Sequence, residues 1–245
     1  MTEADLWLLA GIVAFYLYDA AILLYADELV AWPRRGAWSA SVGSELQWRG
    51  RFAFLPNPLL PWRPLLRVQW LRPPGQCAPV QLDRIHALAR ALRPLRAAVA
   101  VMALLLAVAL PLVLFAWRRW EMLLLVLGAV YLLSSCMVLY TVRARDALGL
   151  DRRALLSLAV DTLACPPFAL NLVRKISLRH DARMDGLELA AATLAPADLR
   201  RLHARLLPRL QALLLREPGE GARAEQLRAC QAQLQQYPER CDEAA

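Results

Sequence analysis

AAVAVMALLLAVALPLVLFAWRRWEMLLLVLGAVYLLSSCMVLYTV, residues 97–142, has all its charge in the RRWE bend at 118–121. On either side stands an apolar block, Ala97–Trp117 and Met122–Val142. About twenty such residues, rising 1.5 Å each, cross a hydrocarbon core of roughly 30 Å. So short a bend forces the two blocks into an antiparallel hairpin, and a membrane helix tolerates Pro111 as a kink. Trp117 and Trp120 at the bend, with Tyr140 near the far end, fit interfacial aromatic belts.

Upstream, Leu6–Tyr25 reads as a further spanning block, with Asp19 set inside it. The preceding MTEAD carries acid and no Lys or Arg, the reverse of a cleavable signal. Eleven arginines fall in residues 31–96 and two at the RRWE bend, so the positive-inside bias puts the N-terminus outside and residue 30 onward in the cytoplasm. Residues 1–30 are therefore an N-out anchor and 97–142 a transmembrane hairpin.

Downstream, RRALLSLAVDTLACPPFALNLVRKISL (152–178) is apolar but carries Asp161, Pro166-Pro167 and Asn171, each a heavy insertion penalty. It predicts a broken helix over 143–178, re-entrant or interfacial, with a fourth span as the alternative. Between the anchor and the hairpin, residues 31–96 hold five of the eight tryptophans: Trp32, Trp38, Trp48, Trp62 and Trp70. WSASVGSELQWRGRFAFL predicts two short strands around Gly43-Ser44, and LLRVQW a third. QLDRIHALARALRPLR places Leu82, Ile85, Ala89 and Leu92 on one helical stripe, a basic amphipathic helix lying among headgroups. The tail, 179–245, has leucines at 199, 202, 206, 210, 213 and 214 and a second helix after EPGEG, which reads as a soluble helical hairpin.

Composition agrees with this layout. The chain has 245 residues, 58% of them hydrophobic, with a net charge of +8 and a mean hydropathy of +0.35. Its basic excess is nearly all arginine, Lys175 being the single lysine, and the Ala/Leu/Arg/Pro bias suggests GC-rich bacterial coding. With long apolar blocks between the basic clusters, anionic lipid of the cytoplasmic leaflet is the expected partner, and no nucleic-acid-binding motif occurs. Five cysteines without a CxxC pair, and three scattered histidines, give no disulfide framework and no metal site. No cofactor motif is present.

The candidate chemistry is intramembrane and polar. Asp19 is flanked by Tyr16 and Tyr18, while Ser157, Asp161 and Cys165 recur every fourth residue as one polar stripe ahead of the Pro166-Pro167 break, with Asn171 beyond it. Arg84, Arg90, Arg93, Arg96, Arg174 and Lys175 are candidates for lipid phosphate or for counter-charge to the buried acids. YD at 18–19 and PFAL at 167–170 are similar to elements of intramembrane aspartyl proteases, but the GxGD context is missing around Asp161.

These features describe an all-α-dominated polytopic membrane protein: three transmembrane helices plus a broken re-entrant or interfacial helix, a small β-containing section and a cytoplasmic helical hairpin. No constellation of catalytic groups appears. The expected role is that of a bacterial inner-membrane scaffold or accessory subunit, bound to other membrane subunits or to itself. The alternatives are a transporter or ion-conducting component using Asp19 and Asp161, and an intramembrane hydrolase using the same two carboxylates.

Overall fold

The computed structural model describes residues 3–34, 37–71, 82–117, 119–180, 185–216, 225 and 227–232. Cys77, Arg118, Cys241 and most of the second tail helix expected from the sequence lie outside them. The protein is mostly helical, 67% by residue, with small sheets. The chain forms two compact units, each assembled from separate stretches. The first comprises Met1–Ala21, Leu55–Pro64 and Asp83–His180; the second comprises Ile22–Phe54, Leu65–Leu82 and Asp181–Ala245.

The first unit is helical: α1 (Glu3–Ala20), α2 (Leu82–Ala91) and a long helix over Arg93–Trp117. That helix consists of α3 (Arg93–Leu104), a π-helical turn at Leu105–Ala109, α4 (Leu110–Leu112) and a second π-helical turn at Val113–Trp117. Pro111 has no N–H to give the carbonyl one turn earlier; the backbone widens on both sides of it and continues. Ile85, Leu88, Leu92, Leu95, Val99 and Met102 form one buried stripe along α2 and α3. After the bend, α5 (Trp120–Arg143) packs against α3.

The broken helix follows as α6 (Arg152–Ala164), α7 (Pro166–Ala169) and α8 (Leu172–Arg179). Asp151 caps α6 by accepting a hydrogen bond from the Ala154 N–H at 2.7 Å. Cys165 leaves the helical region (φ −138°, ψ 90°) because the ring of a following proline excludes it. Pro166 then starts α7, where its missing N–H costs nothing. α6 and α7 pack against α5, α8 packs against α3, and α6 and α8 touch each other.

Among the described residues two helices are long and apolar enough to cross a membrane, Arg93–Trp117 and Trp120–Arg143. The third expected span is shorter than the sequence suggested. α1 stops at Ala20 and its apolar run is Leu9–Ala20, while residues 22–24 are a strand. An Ile-Leu-Leu run suits either state; here its pairing partners decide.

In the second unit, β1 (Ile22–Leu24) pairs antiparallel with β5 (Arg51–Phe54), which also pairs with β4 (Gln47–Trp48). A second sheet has β2 (Glu28–Arg34) between β3 (Ala37–Ser41) and β6 (Leu66–Gln69). The hairpin expected at Gly43-Ser44 forms instead at Arg49-Gly50, where both residues have positive φ (50° and 76°). Such a two-residue turn matches strand twist. The Gly43 segment carries the chain from one sheet to the other, since β3 pairs with β2 and β4 with β5. α9 (Gly186–Thr193) packs on β2 and β3; a Cβ at Gly186 would lie 2.9 Å from Leu29 Cδ2. α10 (Pro196–Arg216) packs on β3 and buries Leu202, Leu206 and Leu210.

Candidate functional site

The polar groups of the first unit converge. On α1, Tyr16 and Asp19 lie one turn apart, so both face the same neighbours. On α8 and the turn before it, Asn171, Arg174 and Lys175 repeat the spacing. Lys175 Nζ lies 2.7 Å from Asp19 Oδ1 and 3.5 Å from Asp161 Oδ2. Asn171 Nδ2 donates to Asp19 Oδ2 and to the Tyr16 carbonyl, both at 3.2 Å. Its Oδ1 accepts from Arg174 Nη1 at 3.1 Å. Arg174 Nη2 donates to the carbonyls of Asn57 (2.7 Å) and Leu60 (2.9 Å), and the Tyr16 hydroxyl donates to that of Pro58.

Two carboxylates thus meet one ammonium, while the Arg174 guanidinium is held by Asn171 Oδ1 and two backbone carbonyls. Asp19 and Lys175 are mostly buried, with side chains 13% and 19% exposed, and Arg174 is 2% exposed. Burying charge is tolerable when each ion is paired and hydrogen-bonded, a condition that Lys175 and Asp19 meet. Among the described residues Arg174 pairs with no carboxylate, and its Nε is buried without a hydrogen-bond partner. The Phe168 ring adds a face to the ammonium, 4.8 Å from Lys175 Nζ, and itself meets Phe15 edge-on. Asp161 is the outlying member, 39% exposed.

The cluster draws in some of the expected residues and leaves others out. Tyr16, Asp19, Asp161, Asn171, Arg174 and Lys175 come together. Tyr18 points away, 80% exposed. Ser157, one turn before Asp161, is exposed, and Cys165 is half-buried at the break, so the stripe contributes Asp161 alone. Missing from the sequence reading were the backbone acceptors of the loop at 55–64. PNPLLP holds its chain open because prolines give no N–H and Asn57 Oδ1 accepts from Leu59 N–H at 2.9 Å. The freed carbonyls then serve Arg174. That proline punctuation is the signal that could have marked them.

Arg90, Arg93 and Arg96 lie elsewhere in the same unit. With Trp62, His86 and Ala89 they line an open groove of about 630 Å³. Arg84 stands on the same helix but outside it.

In the second unit a cavity of about 480 Å³ lies between α10 and the strands, lined by Ser44, Glu45, Phe52, Arg205 and Arg209 among others. Arg209 donates to the carbonyls of Val42 and Ser44 and stacks on Phe52 at 3.5 Å. Burial, with Arg205 nearby, pulls its guanidinium down to about 10. Burial likewise pushes the Cys230 thiol up to about 12, with Asp185 adding to it, which leaves the sulfur unreactive. Among the described residues no three His, Cys, Asp or Glu side chains gather as metal ligands.

Comparison with protein-family models, curated proteins and solved structures finds no match.

Proposed function

We propose that this chain is a non-catalytic scaffold or accessory subunit of a bacterial inner-membrane complex, with its N-terminus outside and most soluble mass in the cytoplasm. The observation that carries the reading is Lys175, placed against both Asp19 and Asp161. Aspartyl hydrolases need two carboxylates sharing a proton around a water. Here an ammonium contacts both, Asn171 bonds Asp19, and Arg174 ties Asn171 to the loop at 55–64, which suits a lock between α1, that loop and the broken helix. The apolar faces of the two long helices are then free for lipid and for other subunits.

Affinity purification of the full chain in mild detergent tests this. The expected result is a stoichiometric membrane partner, or a second copy, lost in Asp19→Asn together with a fall in steady-state protein level. A monomer that co-purifies with nothing would overturn the role.

A second reading has one observation in its favour. Asp161, 39% exposed, and Asp19, 13% exposed, contact the same ammonium, an arrangement that suits an ion- or proton-handling relay in a larger transport assembly. That reading predicts Asp161→Asn with assembly intact and proton-coupled flux lost.

A further inference from the structure

The groove at the foot of the Arg93–Trp117 helix has a composition the rest of the first unit lacks. His86 lies three and four residues before Ala89 and Arg90, which lie four and three before Arg93, itself three and four before Arg96 and Ala97, so the six form one strip along α2 and the start of α3. This strip is opposite in character to the buried stripe through Ile85, Leu88, Leu92 and Leu95. Trp62, on the loop at 55–64, closes one side. No acidic residue lines the groove. His86, Arg90 and Arg93 are exposed and Arg96 half-buried, so the three guanidiniums are accessible at the opening of the groove. Directly beyond Ala97 the helix becomes continuously apolar.

We propose that this groove is a binding site for the headgroup of an anionic phospholipid. Three guanidiniums supply forked donors for phosphate oxygens, and arginine engages phosphate through two parallel bonds where lysine offers a point charge. Arg90 and Arg96 are about 9 Å apart along the axis at 1.5 Å per residue, a span that fits a headgroup of two phosphates, or of phosphate and glycerol, better than one small anion. Trp62 supplies the amphipathic ring that settles at headgroup depth. The acyl chains would then run along the apolar surface of the same helix, where Val101, Leu104 and Val108 are exposed. A free phosphate would use the same guanidiniums but gain nothing from that surface. The proposal rests on the hairpin crossing a bilayer and is independent of the scaffold role.

The test is native mass spectrometry of the full chain from micelles doped with equimolar cardiolipin, phosphatidylglycerol and phosphatidylcholine. The wild-type chain should retain the two anionic lipids on the order of tenfold or more over phosphatidylcholine, given the attraction of each basic residue to anionic headgroups. Arg90→Gln/Arg93→Gln/Arg96→Gln should bring retention down to the phosphatidylcholine level. The charge-matched control Arg84→Gln/Arg152→Gln/Arg153→Gln should retain anionic lipid like the wild type. Trp62→Ala, which changes no charge, should weaken retention several-fold. Three results would each overturn the proposal: equal losses in the two triple variants, no preference for anionic lipid in the wild type, or complete displacement of the lipids by millimolar inorganic phosphate. A helical circular-dichroism spectrum matching the wild type separates loss of binding from loss of fold.

Discussion

Two helices of similar length differ in what they leave exposed. α5 has 24 residues and α10 has 21. α10 follows the rule for water: Leu202, Leu206 and Leu210 go in, while Arg200, Arg201 and other polar side chains stay out. α5 inverts it. Its buried positions are Val126, Val130, Ser134, Met137 and Thr141, whereas Leu124, Leu125, Leu132 and Leu139 are exposed. Thr141 satisfies itself by donating to the Met137 carbonyl at 2.8 Å. A seam of valines, hydroxyl side chains and one methionine under a leucine exterior suits helix packing in a medium as apolar as leucine. The two exteriors suit two different solvents, and the contrast can be broken experimentally.

The largest effect should come from Leu125→Arg with Leu132→Arg, both more than half exposed. In oil each arginine costs about 2.5–3.5 kcal/mol at the helix centre, so the variant should vanish from the carbonate-resistant membrane fraction. In water, surface changes of this kind usually stay within about 0.5 kcal/mol, and unchanged fractionation would remove the membrane reading altogether. Next in size is Leu206→Ala, at a position with no exposed surface. It should lower the urea stability of the second unit by about 2–5 kcal/mol, because a cavity replaces a packed side chain. A smaller loss would mean that α10 buries less than its leucine stripe implies.

The smallest effect concerns pH. Cys230 in the folded chain keeps its proton until about 12 against the usual 9. Above pH 9 the unfolded state therefore binds fewer protons than the folded one, and stability falls as pH rises, by about 1.4 kcal/mol per pH unit. The slope should be present at pH 9–10.5 in the wild type and reduced in Cys230→Ala. Parallel melting curves for the two proteins across that range would refute a buried thiol.

Legibility in the sequence followed the range of the interaction concerned. The hairpin of Arg93–Trp117 and Trp120–Arg143 needs only local composition, and the break at Pro166-Pro167 only the chemistry of proline, so both could be read directly. Ile22–Leu24 could not be told from the helix before it, since its state depends on Phe52–Phe54, some thirty residues later. α9 is short and alanine-rich, with Gly186 at its start fitting the closeness of Leu29, a requirement that leaves no periodic trace. The polar cluster was half visible. Asp19 and Asp161 stand out in apolar runs, and Lys175 was a credible partner for Asp161. Its shorter contact, with Asp19, joins residues far apart in sequence that no local pattern connects.

The interleaving of the two units also bears on how the chain is made. Synthesis enters and leaves each unit repeatedly, so neither matches a fragment that could be cut out or grown separately. The six strands emerge early, but the helices that pack on β2 and β3 come only after the hairpin and the broken helix. During that interval the surface of β2 and β3 that these helices cover stands exposed, the kind of apolar surface that makes nascent chains prone to aggregate.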